Sequence, residues 1–405
     1  MRNVVFVAPF PMDATLRFAR GLGRLADVRL LGVFQQIPSG EAAAPFADLV
    51  QVPDALDPEH IVAGVRTLAA RHGPPHRVTG ILEPLQTPLA VARKALGVAG
   101  PDPDTAERFR QKALMKDVLR SHGLPCARHR LIGTPGDALA FTREVGFPIV
   151  LKPPAGVGCR STWRIDSAPA LGRVLADLKP TPQSPILAEE FLRGREGSCE
   201  LVVIGGAVAA HSISHYEPGP LEVMRTPWIQ WVCHLPRDIS TPMHQDIAAL
   251  GARAVSALGL EDGVAHLEWY CRDDGSLAIG EIAARPPGGQ LAEMTGRVHG
   301  ADIYRTWGRA VVDGAFDGPW VREAAAATVF VRGAGAGRVA EVAGREALVA
   351  ALGARLVEAR WPMVGAMKSD SYEGEGFVMV QDWDEDSVRQ AIRTVHATLK
   401  IRYAA

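Results

Sequence analysis

Cysteine is scarce and scattered in this chain. Its five thiols (Cys126, Cys159, Cys199, Cys233, Cys271) stand far apart, and no two form a C-x-x-C pair. That spacing argues against a zinc knuckle and against a disulfide framework, so reduced and mostly buried thiols are expected. Neither sign of charge is in excess: 44 lysines and arginines face 45 acids, a net charge of -1. There is no basic field to draw in a polyanion, which removes nucleic acid as an expected partner. Small phosphates need local positive charge and stay open. Long apolar runs are missing too. The opening segment reaches Pro9 with one charge and a short apolar run, and no later run is long enough to span a bilayer, so a cytoplasmic chain with no membrane association is expected. Two nucleotide motifs are absent as well. The first strand is followed by no G-x-G-x-x-G, only Gly21-Leu-Gly23 late in a helix, and no G-K-[ST] occurs in the later glycine loop.

What is present is an ordinary globular composition, 47% hydrophobic and 22% charged, in 405 residues. That length supports about two to four domains. Short apolar runs alternate with helix-like segments up to about Ala99: Val4 to Ala8, Ala14 to Leu25, Val28 to Val33, His60 to Arg71, Val78 to Leu82, Leu89 to Leu96. This is the rhythm of a small parallel α/β layer, with Asp13 placed to cap its first helix. Gly100-Pro-Asp-Pro-Asp-Thr105 reads as a linker, and a single helix is predicted over 105–121, capped by Asp104 or Thr105, with Lys112 and Lys116 on one face.

An apolar strand then ends in Lys152 and opens into a loop bearing Gly156, Gly158 and Ser161. A lysine closing a buried strand is costly unless an anion meets it, and glycines let loop amides approach phosphate oxygens. After a proline-rich loop over 177–185 comes Ile186-Leu-Ala-Glu-Glu-Phe-Leu-Arg-Gly-Arg-Glu196. Such a strand end can offer backbone amides to a flat base. Because side chains alternate along a strand, Glu189 and Glu190 diverge and one of them at most meets a ligand through its carboxylate; Glu196 is free to take a ribose. Segments 199–204 and 207–213 pair as a hairpin across Gly205-Gly206. A long loop carrying Arg225, Trp228 and Trp231 is predicted over 215–231, and a helix over 242–258.

The densest signal is a second hairpin, Gly263-Val-Ala-His266-Leu-Glu268 and Gly280-Glu281-Ile-Ala-Ala-Arg285-Pro-Pro-Gly288-Gly289, turning at Asp274-Gly275. Glu268 and Glu281 are thirteen residues apart (281 minus 268) and symmetric pairing sets them almost opposite one another. Like charges across a ladder are destabilising. A divalent ion between them would relieve that, and magnesium asks for one or two carboxylates plus substrate phosphates. His266 shares the face of Glu268, and the fork of Arg285 suits a phosphoryl or carboxylate group. A helix is predicted over 297–312, then renewed strand and helix alternation over 324–405. Ala366-Met-Lys368 matches part of a biotin-attachment motif, but Ser369 stands where that motif has Met, so a biotinylated lysine is not expected.

Taken together, the helix lysine Lys112, the strand lysine Lys152 before a glycine loop, the E-E-F-L crease, H-x-E and E-x-x-x-R-P-P-G-G make the chain resemble the ATP-grasp superfamily over roughly 108–314. The resemblance implies mixed α/β and α+β architecture: a Rossmann-like pre-grasp domain (1–104), an ATP-grasp domain in two lobes with a boundary near 185 (105–320), and a C-terminal lid (321–405). It implies that Lys112 and Lys152, with Gly156, Gly158 and Ser161, hold ATP phosphates. Glu189, Glu190, Phe191 and Leu192 would hold adenine, Glu196 the ribose, and Glu268 with Glu281 magnesium, or manganese in its place. Arg285 and His266 would be the catalytic residues, Arg285 steadying the transferred phosphoryl group, while Arg225, Gly288 and Gly289 would meet the substrate. The family usually has E-x-N-x-R; Ala283 here removes one metal ligand. The function implied is a ligase joining a carboxylate to an amine, both of them small molecules such as amino acids, through an acyl phosphate. Its alternatives are a carboxylase subunit making carboxyphosphate from bicarbonate and a nucleotide-binding regulatory protein. Oligomeric state is not legible, a homodimer being one option.

Overall fold

The computed structural model describes residues 1–156 and 161–404, so Gly158 and Cys159 lie outside the described residues. The first unit is a four-stranded parallel sheet in the order Asp48–Gln51, Val28–Phe34, Arg2–Ala8, Pro75–Thr79, with helices Asp13–Gly23, Pro58–His72 and Gln86–Leu96. Alternation along the first strand splits its apolar residues between two cores. Val5 and Val7 pack with Ile61, Val65 and Leu68, whereas Val4 and Phe6 pack with Leu16, Phe18, Ile303 and Trp307. The second core fastens this unit to the helix Ile303–Asp313 of the following region. Asp13 is not a cap: Met12 holds the N-cap position, and Asp13 pairs instead with Arg17 at 2.9 Å.

Two antiparallel sheets face each other beyond the linker. The smaller runs His129–Ile132, Ile186–Glu190, Ile149–Lys152, Trp163–Ile165. The larger has eight strands in the order Leu277–Ala283, Gly263–Cys271, Arg195–Ile204, Ala207–Glu217, Trp231–Leu235, Ala325–Val331, Gly376–Asp382, Leu356–Arg360. Its last three strands come from the C-terminal region, which is thereby continuous with the central sheet rather than hinged to it. Helix Pro242–Leu258 covers one face through Ile247, Leu250, Ala254 and Val255, packed on Leu201, Ile213 and Leu267. Cys126, Cys199, Cys233 and Cys271 are free and buried, as expected of the described thiols. No helix among the described residues is long and apolar enough to cross a membrane.

Three predicted elements differ. The helix expected over 105–121 is two, Pro103–Arg110 and Lys112–Ser121, broken at Gln111, because the Lys112 amide leaves the helical ladder to donate to the Pro154 carbonyl at 3.0 Å. The first of them is capped by Asp102, which accepts from the Thr105 amide at 2.9 Å, not by Asp104 or Thr105. The helix expected over 297–312 is likewise split into Leu291–Val298 and Ile303–Asp313, where Gly300 adopts a left-handed φ of 58° and Asp302 caps the new start. The long loop over 215–231 is shorter than expected: the strand continues to Glu217 and helix Pro220–Arg225 fills the middle, clamped by Arg332, which donates to the Val223 carbonyl at 2.7 Å. Lys368 is a structural residue whose Nζ donates to the carbonyls of Gly333 and Gly335 at 2.9 and 2.7 Å.

Candidate active site

A cleft of about 2110 Å³ opens between the two antiparallel sheets and the first unit. It exceeds the size of a pocket for one small ligand, so it has room for a nucleotide and further substrates. Lys152, at the end of its strand, donates to Glu189 Oε2 at 2.8 Å, and Lys116 reaches Glu189 Oε1 at 3.3 Å. Lys116 and Glu189 are buried and Lys152 is partly so, and each charge is tolerable because the others are present. Burial works against the Lys152 ammonium, but Glu189 and Glu281 outweigh it and hold the lysine above its ordinary range. Burial likewise works against Glu189 as a carboxylate, and Lys116 with Lys152 keeps it below its ordinary value. Lys112 occupies the first turn of its own short helix and donates to Glu281 at 2.6 Å and to the Gly156 carbonyl at 3.0 Å.

The crease separates its two acids as strand alternation requires. Glu189 turns into the cleft toward the lysines, whereas Glu190 accepts from the Arg128 amide at 2.9 Å and its guanidinium at 2.7 Å. Phe191 lies under the guanidinium of Arg164 at 4.4 Å. Glu196 packs so tightly against Gly219 that a Cβ there would overlap its carboxylate. Burial pushes the Glu196 carboxyl up to about 7, partly offset by a hydrogen bond with Tyr270.

Glu268 and Glu281 are direct cross-strand partners, followed by a register shift after Glu268. Burial would raise the Glu281 carboxyl, yet Lys112 and Lys152 bring it down to about 2, so it is an anion at neutral pH. Facing carboxylate oxygens, one of them firmly ionised, are the hard donor set that magnesium takes. Among the described residues no group of three or more His, Cys, Asp or Glu is poised to hold a metal. His266 is buried, with Nδ1 2.9 Å from Glu200 Oε1 and Nε2 3.8 Å from Glu268. Burial would lower its pKa, but the two carboxylates raise it to about 9. Glu200 is fixed in turn by the hydroxyl of Ser198 at 2.7 Å.

Arg285 is held from the other side of the cleft. Its Nε donates to Glu83 Oε2 at 2.6 Å, and Glu83 belongs to the first unit. Burial disfavours the guanidinium, and Glu83 more than restores it. Gly288 and Gly289 follow, Gly289 with a left-handed φ of 58° that disfavours any side chain, and with the Trp231 ring 3.2 Å from where a Cβ would stand. Arg225 lines the cleft but is half-exposed and pairs with Asp166 of the smaller sheet's lobe at 3.3 Å. Ser161 has a left-handed φ of 52°. Lys112, Lys152, Gly156, Glu189, Glu190, Phe191, Leu192, Glu196, Arg225, His266, Glu268, Glu281, Arg285, Gly288 and Gly289 thus share one cleft; Ser161 does not line it, and Gly158 is outside the described residues. Sequence reasoning missed Glu83, Glu200 and the part played by Lys116. Only Lys116 left a signal, its position four residues after Lys112 on the same helix face.

No protein-family model matches the chain. The L-arginine-specific L-amino acid ligase of Bacillus subtilis is 28% identical over 255 residues, a stretch covering 62% of this chain and 60% of that protein, so the chain spans about three fifths of the length of this curated relative. Among solved structures, the L-amino acid ligase from Bacillus licheniformis superposes with a TM-score of 0.79 at 20% identity, over 100% of this chain and 99% of that one. The biotin carboxylase domain of the 2-oxoglutarate carboxylase of Hydrogenobacter thermophilus, solved with MgADP, ADP and bicarbonate, superposes with a TM-score of 0.71 at 16% identity, over 99% and 90% of the two chains.

Proposed function

We propose that this chain, whose fold is that of the ATP-grasp superfamily, is a ligase that joins the carboxylate of one amino acid to the amine of another. One observation carries the reading: a single cleft brings together two lysines, Lys112 and Lys152, backed by the buried Lys116, with two carboxylates paired across a ladder and a largely covered arginine aimed from beyond the hairpin. Nucleotide phosphates would draw Lys112 and Lys152 from their present carboxylate partners. Lys116, fixed by Glu189 and by the Gly280 carbonyl, positions that pair rather than meeting the ligand. Backbone amides of 190–192 would read adenine, and Glu196 the ribose. Glu268 and Glu281 would hold magnesium, which when bound supplies charge neutralisation at the phosphates.

The chemistry needs placement more than covalent help from the protein. A substrate carboxylate oxygen attacks the terminal phosphorus of ATP, ADP leaves, and an acyl phosphate results. Arg285 neutralises the phosphoryl oxygens during that transfer. The amine nitrogen of the second substrate then attacks the acyl carbon, phosphate departs, and the nitrogen gives up a proton. His266, held as a cation between Glu200 and Glu268, keeps Glu268 oriented toward the cleft. Purified protein with ATP, magnesium and pooled amino acids should release ADP and give a new amide mass by mass spectrometry, and Glu281→Gln should abolish both. ADP release with bicarbonate alone would replace this reading with a carboxylase, and ATP binding without turnover on any pool would replace it with a regulatory protein.

A further inference from the structure

The end of the cleft past Gly289 differs in charge and in surface from the phosphate end. Its wall is aromatic: Trp231 packs edge-on with Tyr216 and Tyr372 at 5.2 and 4.6 Å, and Phe377 lines the same space. The Trp231 ring lies beside Gly289, 3.2 Å from where a Cβ would stand, so this compartment begins where the Arg285 segment ends. Four carboxylates line it or its rim (Asp13, Glu293, Glu358, Glu373) against two guanidiniums, Arg17 and Arg360. Arg17 is already spent, 2.8 Å from Glu358, 2.9 Å from Asp13 and 3.5 Å from Glu293. Glu293 is further engaged by Arg297 and by the Tyr304 hydroxyl, each at 2.9 Å.

That leaves Glu373. Among the described residues no cation lies within 4.0 Å of its carboxylate, and its backbone amide is tied to the Ser371 hydroxyl at 3.1 Å, which fixes the turn that presents it. Burial raises its carboxyl above the ordinary value, and the more distant Arg360 only partly offsets this. Arg360 itself is occupied over the Phe377 ring at 5.6 Å. Glu373 is half-buried in the wall of the cleft, and a carboxylate partly withdrawn from water with no cation beside it gains most from one arriving with the ligand. The Trp231 ring is stacked on Phe330 at 4.8 Å and the Phe377 ring carries Arg360, so the aromatic wall supplies apolar packing for the stem of a long cationic side chain rather than a free ring face.

We propose that one of the two amino-acid substrates carries a cationic side chain, a guanidinium or an ammonium, received by Glu373 within the aromatic compartment. This rests on the ligase reading for the fate of the substrate, but not for its binding. A neutral isostere of arginine such as citrulline leaves the carboxylate without its charge-assisted hydrogen bond, a loss corresponding to roughly 10–100-fold in selectivity.

The test has two arms on the full chain. In the first, ADP release is measured with arginine, lysine, citrulline, leucine and glutamate as the varied substrate, in wild type and in Glu373→Gln and Glu373→Lys. The ratio of kcat/KM for arginine over citrulline should exceed about 10 in wild type and collapse toward 1 in Glu373→Gln, with Glu373→Lys shifting preference toward glutamate. Equal use of neutral and basic substrates, or an unchanged ratio in Glu373→Gln, overturns the proposal while leaving the ligase reading intact. The second arm is calorimetric titration of arginine and of citrulline into wild type and Glu373→Gln. Arginine binding that Glu373→Gln weakens, in a protein that releases no ADP, would uphold the pocket and sink the ligase reading; arginine that binds no better than citrulline would sink the pocket whatever the turnover.

Discussion

At the scale of single residues, the lysine end of the cleft is built by ion pairs that would each be a liability alone. Glu189 is the hub, with Lys116 on one oxygen and Lys152 on the other. Glu189→Gln would take the nearest counter-charge from two ammonium groups, leaving Glu281 as the leading remaining acid acting on Lys152, and breaking a buried pair from one side costs about 3–5 kcal/mol. Lys116→Met should cost less, because Lys152 still neutralises Glu189. Urea unfolding should therefore rank Glu189→Gln as the less stable variant, with MgATP recovering part of its loss; a reversed order would show that Glu189 is not the hub. Much of this end was legible. Lys152 closing an apolar strand and the facing pair Glu268 and Glu281 follow from strand periodicity alone, and strand alternation foresaw that Glu189 and Glu190 would part. Glu83 and Glu200 were not legible, since nothing local marks an acid whose partner lies 202 or 66 residues away.

At the scale of elements, periodicity placed three of the four strands and the three helices of the first unit to within a few residues and missed the short edge strand Asp48–Gln51, while the two broken helices share one cause. Helix 105–121 breaks at Gln111 and helix 297–312 breaks before Asp302 because tertiary hydrogen bonds or a left-handed glycine override a helical pattern that reads as continuous. The C-terminal helix Glu385–Thr398 shows how such elements are pinned. Glu385 lies 2.9 Å from His234 and accepts from the Arg237 amide at 2.9 Å, so its carboxylate ties the helix start to the central sheet. Burial would raise the Glu385 carboxyl, but the His234 contact and then the Arg237 amide lower it to about 2 from an ordinary 4.5. A depressed carboxyl contributes stability above its unfolded value and loses it as pH falls through its folded value. Wild type should therefore lose a margin over Glu385→Gln between pH 4.5 and about 2. Denaturation midpoints followed across that window should converge on acidification; a gap that is constant with pH would remove the titrating contact from the account.

At the scale of the whole molecule, the eight-stranded sheet runs without interruption from the paired glutamates to the C-terminal strands, so the aromatic compartment and the candidate metal carboxylates belong to one rigid frame. The first unit is attached to that frame through the helix Ile303–Asp313, and it inserts one charged side chain into the chemistry, Glu83 against Arg285. On the function proposed above, Arg285 has to be aimed before the substrate arrives, and a misplacement of about 1 Å can cost roughly 10²-fold in rate. Glu83→Gln keeps the shape and removes the charge that holds Arg285, so kcat should fall by about that factor while KM for ATP, set at the lysine end, changes little. Glu83→Asp should recover part of kcat if aiming is the role, because the charge is kept and only the reach is shortened. If Glu83→Gln instead raises KM for ATP with kcat intact, the first unit acts on nucleotide binding, and Arg285 is aimed by the central frame alone.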